Sequence, residues 1–265
     1  MLSSLAGVLG FPVGHSRSPA MMNAAFAALG LDWRYLPLAL PPDRFAETVR
    51  ALAGSGYRAA NVTIPHKLAA LELADELSDP ARAIGAVNTL TLHEDGRIAG
   101  DNTDAGGLLD ALGEPAPATA LVLGAGGAAR AAIWALANAG TQVTVWNRTA
   151  RKAEALASEL GAEAATRPGP ADLLVNATSV GLRPDDPLDG LPLVEARVVV
   201  DLVYGDEPTP IARWAEERGA RLVDGLEVLV RQGARSLAIW TGREPPLEVM
   251  RRAVVHAASS TSAQV

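Results

Sequence analysis

Apolar and polar segments alternate along about the first hundred residues in a pattern that predicts strands separated by helices. The apolar runs LAGVLGFPV, WRYLPLAL and RAANVTI predict strands. Ala-rich segments predict helices from about residues 19 to 29 and 43 to 54, and LAALELADEL predicts another after Lys67. AVNTLTLHEDGRIAGDNT predicts a hairpin with its turn at residues 94–96, followed by a helix from near Asp104.

A second alternating series follows the Pro-containing segment GEPAPA, which has the composition of a linker. Its strands are predicted in ATALVLGAGG, TQVTVWNRT, ADLLVNAT and RVVVDLVY, with helices between them. This spacing is typical of βαβ units in a parallel sheet, so the fold class is predicted to be α/β. The tail SSTSAQV is expected to be disordered.

Composition excludes several kinds of site. With no cysteine and four histidines that lack ligand-like spacing, we expect no protein metal site. A net charge of −7 argues against general nucleic-acid binding. No apolar run approaches the ~18 residues of a membrane span, and MLSSLAGVLG lacks the basic start of a signal peptide, so a cytoplasmic protein is expected.

The segment NVTIPHK draws attention because Lys67 is one of only two lysines in a chain that otherwise uses arginine for positive charge. Arginine cannot release its proton near neutral pH, whereas lysine can in suitable surroundings. A strand here would place Asn61 and Thr63 on one face, shortly before Lys67. A solvated lysine at a helix start is the alternative interpretation.

The segment LVLGAGGAAR predicts a dinucleotide site, because an apolar strand runs into Gly124-x-Gly126 and a helix begins at once. Gly124 allows the tight turn, Gly126 lets a pyrophosphate approach the backbone, and Ala129 permits close helix–strand packing. The helix N-terminus offers N–H groups to phosphates. The candidate cofactor-binding residues are Gly124, Ala125, Gly126, Gly127 and Ala128. A glycine turn without a ligand is the alternative.

The next strand ends at Asn147-Arg148-Thr149, where an NAD enzyme usually carries an acidic residue. Arg148 can pair with a 2′-phosphate, Thr149 can donate a hydroxyl, and Arg151 and Lys152 add positive charge. We therefore expect NADP rather than NAD. An arginine on a surface loop is the alternative, but it does not explain the missing carboxylate.

Two further segments offer polar groups at predicted helix starts. Ser16 and Ser18 precede Pro19, so two hydroxyls and a helix N-terminus make a carboxylate cradle. Ordinary capping by Ser18 is the competing interpretation. GDNTDAGG presents Asp104, which has a helix-capping alternative of its own.

Nine segments, in order, resemble the shikimate dehydrogenase family. They are FPVGHSRSP, NVTIPHK, GAVNT, GDNTDAGG, GAGGAAR, NRT, NATSVG, DLVYGDEPTP and DGLEVLVRQGA, and they span about residues 10 to 235. The resemblance implies reversible reduction of 3-dehydroshikimate to shikimate with NADPH, in aromatic amino-acid biosynthesis. One departure is Met22-Asn23, where the family often has His-Asn.

The resemblance also assigns roles. It implies that Lys67 and Asp104 are the catalytic pair and that Ser16 and Ser18 hold the substrate carboxylate. The other implied substrate contacts are Thr63, Asn88, Tyr204 and Gln232. The further implied cofactor neighbours are Thr178, Ser179, Leu202 and Gly225.

Ketone reduction by hydride agrees with this assignment, since the negative charge that builds on the ketone oxygen needs a proton or a metal.

Taken together, the segments predict an N-terminal α/β substrate domain (residues 1–104, completed by helices in 228–265) and a Rossmann-type, doubly wound NADP-binding domain (105–227). The active site is expected in the cleft that joins them. A monomer or homodimer is expected. The alternatives are an enzyme that also uses quinate or NAD, a dehydrogenase of another small acid, and an NADP sensor without turnover.

Overall fold

A computed structural model of the chain describes residues 4–113, 115–183 and 185–261, with side chains described as far as residue 256. The chain divides into two compact units. The first consists of Met1–Thr103 and Val230–Val265, and the second of Asp104–Leu229. Within the described ranges, every helix is too short or too polar to span a bilayer.

The first unit contains a six-stranded mixed sheet in the order β2-β1-β3-β5-β6-β4. β1 runs parallel to β2 and β3. β5 and β6 form the predicted hairpin, and β5 pairs with β3 in the antiparallel direction. Its strands are β1 (Ser4–Gly10), β2 (Trp33–Ala39), β3 (Tyr57–Val62), β4 (Glu76–Leu77), β5 (Thr89–Leu92) and β6 (Ile98–Asp101).

Four helices of this unit connect the strands. They are α1 (Ser18–Ala28), α2 (Phe45–Leu52), α3 (Lys67–Leu73) and α4 (Asp79–Ile84), with a short 3-10 helix at Pro42–Arg44. The helix after Lys67 ends at Leu73, earlier than predicted, because Glu76 and Leu77 pair with β6 as a strand. The core lies between sheet and helices, where apolar side chains such as Leu9, Phe45 and Leu90 are almost fully buried.

The second unit is built on a six-stranded, wholly parallel sheet in the order β12-β11-β10-β7-β8-β9. Its strands are β7 (Thr119–Leu123), β8 (Gln142–Trp146), β9 (Glu163–Ala164), β10 (Leu173–Asn176), β11 (Val198–Asp201) and β12 (Arg221–Val223). Its helices are α5 (Asp104–Leu112), α6 (Gly127–Asn138), α7 (Ala150–Leu160) and α8 (Pro210–Glu217). The predicted doubly wound α/β fold is confirmed.

This strand order places a topological switch point between β7 and β10, because the chain winds outward from β7 in one direction and from β10 in the other. Ligands of such sheets bind at the carboxyl ends of the strands at this point. The fold alone therefore directs attention to the residues after Leu123 and Asn176.

Two helices close the chain, α9 (Gly225–Thr241) and α10 (Leu247–Thr261). The part of α9 from Val230 onward belongs to the first unit, where α10 packs against α1. Arg17, which is buried, donates from Nη1 to the Val254 carbonyl at 3.2 Å. The expectation of a disordered tail is wrong for residues 259–261, which are helical, and residues 262–265 lie outside the described residues.

Candidate active site

Strand register brings the polar motifs of the first unit to one edge of its sheet. Leu9 of β1 pairs with Val62 of the parallel β3, so the segments after both strands leave from the same edge. Asn61 pairs with Thr89 at the start of β5, and Thr89 pairs with Asp101 at the end of β6. The residues that follow β1, β3 and β6, and those that precede β5, therefore share this edge.

Ser16 lies in the turn between β1 and α1, and Ser18 begins α1. The Ser16 N–H donates to the Val13 carbonyl at 3.0 Å, and the Ser18 N–H donates to Ser16 Oγ at 3.3 Å. The capping position is Arg17, with no side-chain cap, and Ser18 is the first residue of α1, so the interpretation of Ser18 as a helix cap is wrong. Although Ser18 is only 4% exposed, its hydroxyl bonds to none of the described residues, and the Ser16 hydroxyl donates to none of them.

Thr63 lies just beyond the end of β3, contrary to the expectation that the strand would include it. Its N–H donates to the Leu9 carbonyl at 2.9 Å, which keeps the segment against β1. Its hydroxyl makes no hydrogen bond to the described part of the chain. Thr63 thus adds a third hydroxyl available to a ligand, after those of Ser16 and Ser18.

Lys67 opens α3 and is partly buried, and the buried residue before it anchors the loop. The His66 ring stacks on Phe45 with centroids 4.4 Å apart, and its Nε2 lies 2.7 Å from the Leu40 carbonyl. A carbonyl only accepts, so Nε2 carries the proton. His66 holds the start of α3 against the core, a role that was not predicted from the sequence.

Asn88 and Gln232, which are distant in sequence, meet in the interior of the first unit. Asn88 is 2% exposed and Gln232 is 8% exposed. The Thr103 N–H donates to Asn88 Oδ1 at 2.8 Å, and Asn88 Nδ2 donates to Gln232 Oε1 at 3.3 Å. Helix α9 thereby brings Gln232 to the edge that carries the motifs of β1, β3 and β6.

The glycine loop of the second unit has the geometry that a dinucleotide site requires. Gly124 has φ of +115°, and a Cβ there would lie 2.7 Å from the Ala177 carbonyl oxygen, so the loops after β7 and β10 touch at the switch point. A Cβ at Gly126 would meet no protein atom within 4 Å, which leaves the backbone at the start of α6 open to a ligand. Ala129 is fully buried in the unit's core. The loop therefore fits a dinucleotide.

The residues after β8 form a cationic segment. Arg148, Thr149, Arg151 and Lys152 are all exposed, and Asn147 Nδ2 donates to the Thr149 carbonyl at 3.0 Å. None of the three cations forms an ion pair within the described ranges, and the Thr149 hydroxyl does not cap α7. Their charge is therefore available to an anionic group of a ligand.

A buried hydrogen-bonded cluster lies at the carboxyl ends of β10 and β11. The Thr178 hydroxyl donates to Asn176 Oδ1 at 2.7 Å, and Asn176 Nδ2 donates to Asp201 Oδ1 at 2.8 Å. Asp201 is 1% exposed, and its burial raises the pKa of its carboxyl, while bonds from Thr209, Asn176 and the Val203 N–H oppose that rise. This cluster holds Thr178 at the switch point. Ser179 beside it is exposed.

Gly225 is confined by the segment that follows β11. A Cβ there would lie 2.8 Å from the Val203 carbonyl oxygen and 2.9 Å from that of Leu202. Any larger residue would push the start of α9 away from these carbonyls. Leu202 and Gly225 are thus brought together, and partly buried Tyr204 lies two residues further along the same segment. Among the described residues, no group of three His, Cys, Asp or Glu side chains is placed to hold a metal ion.

Comparisons with known proteins agree with this arrangement. Three family models match: the shikimate dehydrogenase substrate binding domain over residues 8–90, shikimate / quinate 5-dehydrogenase over 109–175, and the shikimate 5'-dehydrogenase C-terminal domain over 225–255. A relative from Methanothermobacter thermautotrophicus, named shikimate dehydrogenase (NADP(+)), is 44% identical over 270 residues, which cover 94% of this chain and 95% of the relative. The chain belongs to the shikimate dehydrogenase family.

Solved structures of similar proteins have the same fold. Shikimate 5-dehydrogenase from Thermus thermophilus, in complex with NADP(H) and shikimate, has a TM-score of 0.87 at 43% identity and covers 96% of this chain and 99% of its own. A ligand-free 5-ketofructose reductase of a Gluconobacter strain has a TM-score of 0.84 at 33% identity, with 97% and 99% covered. The fold is therefore also found in a protein named for another substrate.

Some residues that organise the shikimate dehydrogenase motifs were missed in the sequence. Ser236 bonds to Asn61 and Thr89 in the interior, and only its spacing of one helical turn after Gln232 hints at a shared face. The Met22-Asn23 departure has a structural role, since Met22 is fully buried and Asn23 bonds to the backbone of β2 through both side-chain atoms.

Proposed function

We propose that the chain catalyses the reversible reduction of 3-dehydroshikimate to shikimate with NADPH, as a step in aromatic amino-acid biosynthesis. The observation that carries the proposal is the set of three available hydroxyls, on Ser16, Ser18 and Thr63, at the sheet edge shared with Lys67. None of these hydroxyls donates to a described residue, so each can donate to a ligand. A polyhydroxylated carboxylate supplies acceptors for all three hydroxyls.

The substrate carboxylate is assigned to Ser16 and Ser18. Their hydroxyls lie at the N-terminus of α1, where the helix dipole favours an anion. Thr63, Asn88, Gln232 and Tyr204 are assigned to the rest of the substrate. The amides of Asn88 and Gln232 are mutually hydrogen bonded, which suits a site that must distinguish one pattern of hydroxyl groups from another.

Lys67 is assigned the role of proton donor to the carbonyl oxygen of the substrate. When bound, NADPH supplies hydride to the carbonyl carbon, and the negative charge that develops on the carbonyl oxygen requires a cation and a proton. Lys67 offers both, and it lies near the available hydroxyl of Thr63 in the sequence. Asp104, the first residue of α5, is assigned to share hydrogen bonds with the substrate hydroxyl and to orient the lysine.

NADP is assigned to the second unit. The pyrophosphate is assigned to the loop Gly124–Ala128 at the start of α6, and the 2′-phosphate to Arg148 with Thr149, Asn147, Arg151 and Lys152 around it. The support is the open space at Gly126 and the three cations after β8 that pair with no described carboxylate. Thr178, Ser179, Leu202 and Gly225 are assigned to the nicotinamide side.

The test is a spectrophotometric assay of the purified chain with shikimate and NADP. In separate assays, quinate replaces shikimate and NAD replaces NADP. We expect turnover with shikimate and NADP, and far less with either substitute. The match to a model named for both substrates makes quinate the second candidate. Comparable rates with quinate would show relaxed specificity, whereas NADP binding without turnover of either compound would overturn the proposal and favour a sensor.

A further inference from the structure

A buried hydroxyl on α9 connects four segments of the first unit. Ser236 is fully buried and lies one helical turn after Gln232. Its Oγ is 2.9 Å from Asn61 Nδ2, 2.9 Å from Thr89 Oγ1 and 3.1 Å from Thr103 Oγ1, and it donates to the Gln232 carbonyl at 3.1 Å. Ser236 thus joins α9 to β3, to β5 and to the segment after β6.

The Thr103 N–H sets the orientation of the buried amides, and the hydroxyls of Thr89 and Thr103, which both contact Ser236, also bond to Asn88 Oδ1. Because the Thr103 N–H only donates, the Asn88 atom that faces it must be Oδ1. Asn88 Nδ2 then points to Thr103 Oγ1 at 3.0 Å and to Gln232 at 3.3 Å. The Gln232 atom that faces Asn88 must be Oε1, so the other branch of that amide, Nε2, is the donor.

A second series of bonds fixes the neighbouring amide in the same way. The Tyr35 hydroxyl donates to Asn61 Oδ1 at 2.8 Å, so Asn61 Nδ2 faces Ser236 and Thr89. Since Ser236 donates to a carbonyl, its oxygen is left to accept from Asn61. If the hydroxyl were removed, Asn61 would lose its shortest acceptor, and Thr89 and Thr103 would lose a shared partner.

We propose that Ser236 is a positioning residue: its hydroxyl holds the hydroxyls of Thr89 and Thr103 against Asn88, and so keeps Asn88 and Gln232 in the orientation in which Gln232 presents its Nε2 as a donor to the substrate. This role rests on the proposed function. A fixed Nε2 donor on Gln232 favours a substrate with an acceptor oxygen at that point, and it discriminates against a substrate with a donor or an apolar group there. Ser236 itself is buried and acts only through its neighbours.

The test compares Ser236→Ala with Thr241→Val. Both changes remove a hydroxyl of α9 that donates to the carbonyl four residues earlier, at 3.1 Å for Ser236 and 2.7 Å for Thr241. Only the Ser236 hydroxyl also contacts Asn61, Thr89 and Thr103. We expect Ser236→Ala to raise the KM for shikimate about 5- to 10-fold, the value of roughly one hydrogen bond, with the KM for NADP and kcat within about twofold. Thr241→Val should leave all three unchanged.

A second pair of variants separates hydrogen bonding from packing at Thr89, which is 1% exposed. Thr89→Val keeps the shape and removes the hydroxyl, whereas Thr89→Ser keeps the hydroxyl and removes a methyl group. Positioning predicts that Thr89→Val raises the KM for shikimate and that Thr89→Ser does not. The reverse order would show a packing role and overturn the proposal. This pair also decides the matter if Ser236→Ala fails to fold.

The outcomes distinguish this inference from the proposed function. If the wild type neither binds shikimate by calorimetry nor oxidises it, the proposed function is wrong and the role of Ser236 is wrong with it. If the wild type is active and Ser236→Ala behaves as Thr241→Val does, only the positioning role is wrong. A change confined to Tm would contradict the positioning role as well.

Discussion

Replacing Arg148 with alanine tests the cofactor assignment, because this side chain has no partner within the described chain to lose. Arg148 is exposed after β8, and no carboxylate pairs with it there. Surface substitutions of this kind usually change the free energy of unfolding by less than ~0.5 kcal/mol. Any large change in cofactor use by Arg148→Ala would therefore reflect lost contact with the cofactor and not damage to the fold.

The expected magnitude follows from the exposure of the side chain. A charge-assisted hydrogen bond contributes roughly 1.5–3 kcal/mol, which corresponds to about 10- to 100-fold in affinity. Because Arg148 is open to solvent, water and salt weaken the contact, so the lower end applies. We expect NADP efficiency to fall about 10-fold and NAD efficiency, which involves no 2′-phosphate, to change by less than twofold.

The assay measures kcat/KM for NADP and for NAD with shikimate in one buffer, at low and at moderate salt. The ratio of the two efficiencies is the informative quantity, since general damage lowers both. Arg197→Ala is the matched control, because Arg197 precedes β11 at the opposite edge of the same parallel sheet, is 81% exposed and pairs with Asp172 at 2.7 Å. It removes the same net charge far from the carboxyl end of β8.

Two results would refute the reasoning about Arg148. If the NADP to NAD ratio stays at the wild-type value, the 2′-phosphate is held elsewhere, with Arg151 and Lys152 the next candidates. If Arg197→Ala lowers the ratio as much, then total charge and not a specific contact sets the preference. The wild-type preference should also decline as salt rises, because exposed charge pairs are screened.

Three further predictions concern other parts of the molecule. Lys67→Ala should lower turnover by roughly 10²–10⁴-fold with NADP affinity unchanged, and substantial turnover in Lys67→Ala or Lys67→Arg would rule out proton transfer by this residue. Ser18→Ala should raise the KM for shikimate more than it lowers kcat, because it contacts a part of the substrate that does not react; a change in the KM for NADP instead would contradict the cradle. Arg50 donates to the two carboxylate oxygens of Asp75 from Nη1 and Nη2. This contact is the main reason that the pKa of the Asp75 carboxyl is lowered to about 2. The ionised Asp75 carboxylate therefore stabilises the folded state above pH 3.8, the pKa of the unfolded carboxyl, and this stabilisation is lost as pH falls toward 2. The Tm difference between wild type and Asp75→Asn should accordingly shrink below about pH 4. A Tm difference that is constant with pH would show that the charge of Asp75 is irrelevant.

Local patterns predicted the elements whose causes are local. The glycine loop was predicted because a strand precedes Gly124-x-Gly126 and a helix follows it. The structure shows the positive φ at Gly124 that a glycine permits. The hairpin of β5 and β6 was predicted from two apolar runs around a turn, because strand alternation and turn chemistry depend on neighbouring residues. The absence of an acidic residue near Arg148 was likewise visible in the sequence alone.

Tertiary structure decided the features that depend on residues far apart in the chain. Nothing within LAALELADEL indicates that α3 ends at Leu73, because the cause is the pairing of Glu76 and Leu77 with β6. Gly225 looks like an ordinary glycine until the carbonyls after β11 are seen to leave no room for a side chain.

The clearest case is the hydroxyl of Ser236, which is one serine among several in the sequence. It meets Asn61, 175 positions earlier, and Thr89, 147 positions earlier, only because α9 packs on the edge where β3 ends and β5 begins. Periodicity shows which face of a helix is buried, but not which polar groups that face will meet. Hydrogen bonds are directional and short, so their partners are determined only when the strand register and the helix position are both set.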